Sequence, residues 1–292
     1  MEFDFLSIEP LRLFIAFFVG YFLTVSGSLS QIVTNNKLAS SSTLGFDGVG
    51  VLVVLVAQFC LTFYKVDIAL EHLSFLIFFV FFVACSYVVY NAKKNDFQFD
   101  IRKKMQSIIL MGLGFNLFVG GLFSVIQFLF LSINYEFPTG LWFGNFKFYT
   151  ESTVIVYLFS FFVTLFFINR LSKKLAFLSL GNDFAKGLDL DIEGLVRSAL
   201  LLSLFLTGLI ISYFGVFSFV GLIFPHILRM FKFFKYSIRN ELVFGPIFSG
   251  AVLSGIDLIC YHFTFFGAEV PVGMVCSVVG SFVLLLLLYN RK

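Results

Sequence analysis

Apolar residues run in long stretches along almost the whole chain, and polar residues collect in the short intervals between them. Crossing a hydrocarbon core about 30 Å thick takes about 20 apolar residues in a helix. By that measure the pattern predicts about nine spans: Leu11–Val33, Gly45–Tyr64, Leu73–Asn91, Ser107–Ile133, Ser152–Asn169, Val196–Phe214, Val216–Met230, Glu241–His262 and Val270–Tyr289. A backbone in lipid has no water to bond to, so each span must be helical. The ten-residue alternating strands of a β-barrel do not occur. The expected fold class is therefore an all-α polytopic membrane protein, a single transmembrane domain over residues 1–292.

Composition agrees. The 292 residues are 59% hydrophobic and 13% charged, with mean hydropathy +0.99, where a soluble domain carries about 25% charged residues. The 46 phenylalanines follow no fixed period, as expected of a lipid-compatible alphabet and not of a cofactor stripe. Cys60, Cys85, Cys260 and Cys276 lie inside apolar runs without a CxxC pair and read as small hydrophobes. The start MEFDF is acidic, and no signal-peptidase pattern follows the first apolar run.

Charge sets the orientation. One set of loops and the tail hold Lys37, Lys93, Lys94, Arg102, Lys103, Lys104, Arg170, Lys173, Lys174, Lys186, Arg197, Arg229, Lys232, Lys235, Arg239, Arg291 and Lys292; the other set holds Arg12, Lys65 and Lys147. The positive-inside rule makes the first set cytoplasmic, with the C-terminus inside. An odd number of spans then leaves the N-terminus outside, which without a signal sequence suggests that a first helix is missing.

Chemistry-bearing motifs are few. H-E-x-x-H, G-x-S-x-G and the P-loop pattern are absent, and His72, His226 and His262 are scattered without ligand spacing. No enzyme, resident cofactor or metal site is expected. A proton-coupled transporter should carry ionisable residues at mid-membrane, yet Asp257 is the one clear carboxylate inside a span. The stretch "KKLAFLSLGNDFAKGLDLDIEGLVRS", Lys173 to Ser198, suits two short helices on the membrane surface, capped by Asn182 or Asp183 and ended at Gly187.

Several of these stretches together resemble the FecCD-type permease subunits of ABC importers for iron–siderophores, haem or cobalamin. "GVFSFVGLIFPHILRMF" is similar to the family's G-x-I-x-F-V-G-L-x-x-P-H-I-x-R, through Gly215, Phe219, Val220, Gly221, Leu222, Pro225, His226, Ile227 and Arg229. "LSLGNDFAKGL" resembles L-G-x-x-x-A-x-x-L through Leu180, Gly181, Ala185 and Leu188. "GAVLSGIDLI" and "EVPVGMVCSVVG" look like the family's last two helices. The likeness covers nearly the whole chain and begins at the family's second helix. It implies the type II ABC importer permease fold, usually of ten helices, with the first one missing here.

The resemblance further implies a permease subunit of an ATP-driven importer in the bacterial inner membrane, moving an iron chelate inward by alternating access. Its partners would be ABC ATPase subunits, which hold ATP and Mg²⁺, a periplasmic or lipid-anchored substrate-binding protein, and a second permease subunit. By the same likeness the cytoplasmic loop of about residues 173–197 couples to the ATPase through Leu180, Gly181, Asn182, Asp183, Ala185 and Leu188. The cytoplasmic gate comprises Asn36 and Leu38 of an N-P-L-A loop, with Lys37 in place of Pro, and a second element at Met105 and Gln106. Arg12 matches an outer-face arginine that docks the binding protein; Glu9 and Tyr261 stand where others are common, which favours a heterodimer whose partner supplies the docking charges. Pro225 and His226 read as a kink in the inner half of a helix, with Arg229 free to snorkel. Competing readings are a zinc or manganese importer permease, a stand-alone channel or secondary transporter, and a degenerate subunit kept for assembly.

Overall fold

The computed structural model describes residues 10–64, 69–91, 101–132, 143–147, 149–188, 190–265 and 268–289. Eight of the nine expected spans are helices: α1 (Pro10–Thr34), α2 (Phe46–Tyr64), α3 (Leu70–Asn91), α4 (Ile101–Ser132), α5 (Glu151–Ser179), α7 (Ile192–Phe214), α11 (Gly245–His262) and α12 (Val272–Tyr289). Between them lie the short helices α6 (Asn182–Gly187), α8 (Val220–Leu228), α9 (Lys232–Lys235) and α10 (Ile238–Val243). A two-residue antiparallel ladder, β1 (Thr264–Phe265) with β2 (Ala268–Glu269), pairs Thr264 with Glu269 between α11 and α12.

Helix α1 is the axis of the bundle. Of its apolar window 83% is buried, against 11% for α3 and 17% for α4, and it packs on α5, α7, α8 and α11. Small residues make that possible. Without a hydrophobic drive between helices in lipid, association rests on close packing and hydrogen bonds. Ser26 Oγ lies 2.6 Å from Ser203 Oγ and 3.0 Å from Thr207 Oγ1, tying α1 to α7. Toward α8 the approach is backbone on backbone: a methyl group built on Gly27 would overlap the carbonyl of Gly221.

The seventh expected span is corrected by the structure. Apolar residues run through Val216–Met230, but α8 is nine residues long, about 14 Å at 1.5 Å per residue, and cannot cross alone. Helix α7 stops at Gly215, where φ is +82°, and Phe219 enters α8 in the left-handed region at +66°. Hydrophobicity does not report such backbone reversals. The freed carbonyls are met by residues 143–147: Asn145 N–H donates to the Phe214 carbonyl (3.1 Å) and Gly144 N–H to that of Val216 (2.9 Å). Gly273 N–H then donates to the Gly144 carbonyl at 2.8 Å, closing onto α12. Irregular backbone is tolerated at membrane depth where protein satisfies it in this way.

Pro225 acquires a role beyond a bend. It has no N–H to give to the residue four back, which is Gly221, whose carbonyl faces Gly27. The crossing of α1 and α8 therefore uses a carbonyl to which Pro225 cannot donate. Phenylalanine serves two purposes. Phe22, Tyr157 and Phe214 stack between α1, α5 and α7 at centroid distances of 5.7 and 5.6 Å, while Phe118, Phe128 and Phe159 point outward.

Gly27→Val should separate α1 from α8 and cost roughly 1–3 kcal/mol or more, lowering the melting temperature of the purified protein. Gly255→Ala, where nothing lies within 4 Å, should leave it unchanged.

Candidate functional site

The loop after α5 is tightly built. Leu180 caps the helix, Gly181 turns the chain with φ +133°, and α6 follows at once. Ala185 is fully buried, and its N–H donates to the Gly181 carbonyl at 3.0 Å. Leu180, Phe184 and Leu188, four residues apart, are all exposed. A six-residue helix thus stands on one small side chain and turns an apolar edge outward. The expected second surface helix is the first turn of α7, which Asp191 caps by accepting from Gly194 N–H at 2.9 Å. The side chains of Asn182 and Asp183 lie outside the described residues.

The turn after α1 is held by its own polar groups. Asn36 Oδ1 accepts from Leu38 N–H at 3.0 Å, and Asn36 N–H donates to the Gln31 carbonyl at 3.2 Å. Leu38 is exposed and Ala39 buried. The segment that follows it, Ser42 to Gly48, meets α4 two to three helical turns beyond Gln106, which is exposed. The contact is made at Gly112, against Thr43 and Leu44, and at Asn116. Asn116 Oδ1 accepts from Gly48 N–H at 2.7 Å, and its amide donates to the Ser42 carbonyl. Asn116 is thus joined to the Ser42–Gly48 segment that follows the Asn36–Leu38 turn, and no contact among the described residues brings in Gln106; the Met105 side chain lies outside them. Asn116 was detectable in principle. A lone carboxamide inside the apolar run GLGFNLFVGG must find partners or carry a desolvation penalty.

Arg12 requires a correction. It is enclosed, not presented on a docking face. Its side chain is 7% exposed and that of Asp257 is 0% exposed. Arg12 Nε lies 3.0 Å from Asp257 Oδ2 and Nη2 lies 2.9 Å from Oδ1, a two-pronged pair. Nη1 reaches Glu269 Oε2 on β2 at 3.1 Å, and the guanidinium sits 4.8 Å from the Tyr261 ring centroid. All three guanidinium nitrogens and one face are engaged within this chain.

The other end of α1 repeats the arrangement. Arg229 does not snorkel: its Nε and Nη2 hold both oxygens of buried Glu241 at 3.0 and 2.6 Å, and Nη1 donates to Gln31 Oε1 at 2.6 Å. Gln31 Nε2 donates in turn to the Leu222 carbonyl at 3.1 Å. Pro225 is buried inside α8, and His226 beside it is half-buried. Among the described residues no three of His, Cys, Asp or Glu gather as a metal site would require.

With this geometry in place, likeness to known proteins becomes informative. The family model described as the FecCD transport family matches residues 5–290. The chain is 27% identical to the Fe(3+)-citrate import system permease protein YfmD of Bacillus subtilis, over 94% of this chain and 79% of that one. It is 27% identical to the vitamin B12 import system permease protein BtuC of Photorhabdus laumondii, over 94% and 78%. The petrobactin import system permease protein YclO of Bacillus subtilis is 24% identical over 94% and 85%. A metal-chelate type ABC transporter solved in an inward-facing conformation superposes with TM-score 0.75 at 21% identity, over 96% of this chain and 85% of that one.

Arg12→Ala should strand Asp257 and cost about 3–5 kcal/mol, whereas Arg12→Met with Asp257→Leu should recover most of it; thermal unfolding of the purified protein distinguishes the two. A docking role would instead weaken association with a binding protein at an unchanged melting temperature. Asn116→Ala should cost about 1–3 kcal/mol by unpairing Gly48 N–H and raise thiol labelling of a Leu38→Cys reporter.

Proposed function

The chain belongs to the FecCD transport family, and on that premise we propose that it carries an iron chelate, a siderophore in the first instance, into the cytoplasm by alternating access. It is the transmembrane permease subunit of an ABC importer and not itself an enzyme; a separate ATPase hydrolyses ATP. It is a multi-pass protein of the bacterial inner membrane. The orientation follows from its Lys and Arg bias, with α6 and the C-terminus in the cytoplasm. ATP and Mg²⁺ belong on this basis to the partner ATPase.

The observation that carries the proposal is the outward apolar edge of α6 on the buried pivot Ala185. A soluble partner that closes on Leu180, Phe184 and Leu188 buries apolar surface, about 25 cal/mol for each Å² removed from water. Its movement passes into α5 and α7, to which α6 is joined on either side. The Asn36–Leu38 turn, which leads into the Ser42–Gly48 segment held by Asn116, is the gate element that such movement would displace. A proton-driven mechanism finds less support, because buried Asp257 and Glu241 are each engaged by an arginine.

Enclosure of Arg12 strengthens the case for a heterodimer. A docking protein needs charge to read, and in this subunit the matching arginine is already neutralised. A second, different permease subunit would supply that charge; an active transporter that purifies only as a homodimer contradicts this.

Uptake of radiolabelled iron chelate should fall to background when the gene is deleted, and equally when the partner ATPase is deleted; uptake that persists without the ATPase would point to a stand-alone transporter. Ala185→Asp should abolish uptake and substrate-stimulated ATP hydrolysis while the protein still inserts in the membrane.

A further inference from the structure

A cavity of about 610 Å³ opens between the last turn of α3, the end of α5 and the first turns of α7, on the same side of the bundle as α6. Its walls are mostly apolar, Leu171 and Leu201 among them, but its rim is not. Lys174 lies on it, exposed and, among the described residues, with no ion pair or hydrogen bond. Ser86 lines it too, its hydroxyl enclosed and without a hydrogen-bond partner among the described residues. Arg197 is already committed to the wall, with Nη1 on the Val89 carbonyl at 3.2 Å and Nη2 on Glu193 at 3.0 Å. The carboxylate of Asp191, also in the lining, caps α7.

Depth selects the ligand. The apolar stretch of α5 ends at Arg170, Lys173 and Lys174; α3 ends at Asn91; α7 begins at Ile192. Exposed Tyr87 and Tyr90 lie in the last turns of α3, where tyrosine marks the boundary between lipid tails and headgroups. An exposed lysine and apolar walls thus meet at headgroup depth. We propose that this cavity binds a membrane phospholipid, its phosphodiester on Lys174 and an acyl chain along the apolar wall. Such a lipid would bridge α3 to α5 and α7 beside α6.

The test is native mass spectrometry of the assembled transporter in detergent, titrated with phosphatidylglycerol. One lipid per copy of this chain should survive delipidation. Lys174→Gln should bind about tenfold more weakly, and Lys174→Arg should bind as the natural chain does. Lys173→Gln, at an exposed lysine outside the cavity, should change nothing. Equal retention by Lys174→Gln overturns the proposal. So does equal loss in Lys173→Gln, which would make the effect one of general surface charge. Displacement by millimolar inorganic phosphate would make it a free-anion site and also overturns it. The lipid count is read without transport, so it stands or falls separately from the cargo.

Discussion

Asp257 is fully enclosed, and a carboxylate there is tolerable only against a cation. Arg12 is that cation, and much of the architecture follows from bringing the two together across 245 positions of sequence. The pair fixes the first turns of α1 against the last turns of α11. Glu269 adds the β-ladder to the same guanidinium. At the far end Arg229 holds Glu241 and Gln31, which joins α1 to α8 and α10. A buried pair contributes little net stability, yet removing one partner is severe. These clusters therefore act as registers: α1 cannot slide or rotate without leaving a charge alone in an apolar medium.

Between the registers, the fit of α1 is set by what it lacks. Gly27 allows the Gly221 carbonyl to approach, and Pro225 leaves that carbonyl without its helical partner. The serines toward α7 replace missing bulk with short hydrogen bonds. A larger residue on this helix would be more apolar and better suited to lipid, but would not fit. The Pro–His pair, read from sequence as a kink, thus belongs to a helix crossing.

Legibility differed by the range of the interaction. Eight spans were readable because hydropathy over about 20 residues is a local property. The α8 segment was misread because its length depends on two residues with positive φ, Gly215 and Phe219, and the second is not a glycine. Family resemblance located the Leu180–Leu188 loop, but only the coordinates show that Ala185 faces in while Leu180, Phe184 and Leu188 face out. Arg12 matched a surface position by alignment of type, and its burial was invisible because Asp257 and Glu269 come from the other end of the chain. Asn116 lay between: its cost in an apolar run was legible, its partners Ser42 and Gly48 were not.

The distribution of packing constrains how any alternating motion is divided. Helices α5, α7, α8 and α11 all contact α1, and two of those contacts pass through arginines, Arg12 buried and Arg229 half-buried. Shearing within this group would break pairs that cost several kcal/mol each to separate. Helices α3 and α4 are held far more lightly, with most of their surface outside the core. On the proposed coupling role of α6, a push delivered there would enter α5 and α7 and so reach the rigid group first. The least costly response is for that group to move as one body while the α4 contact with the Ser42–Gly48 turn opens or closes, since hinge and shear changes gather where packing is thin. The Asn36–Leu38 turn leads directly into that contact, so it is coupled to the movement by chain connection and by Asn116, without any buried charge having to change partner.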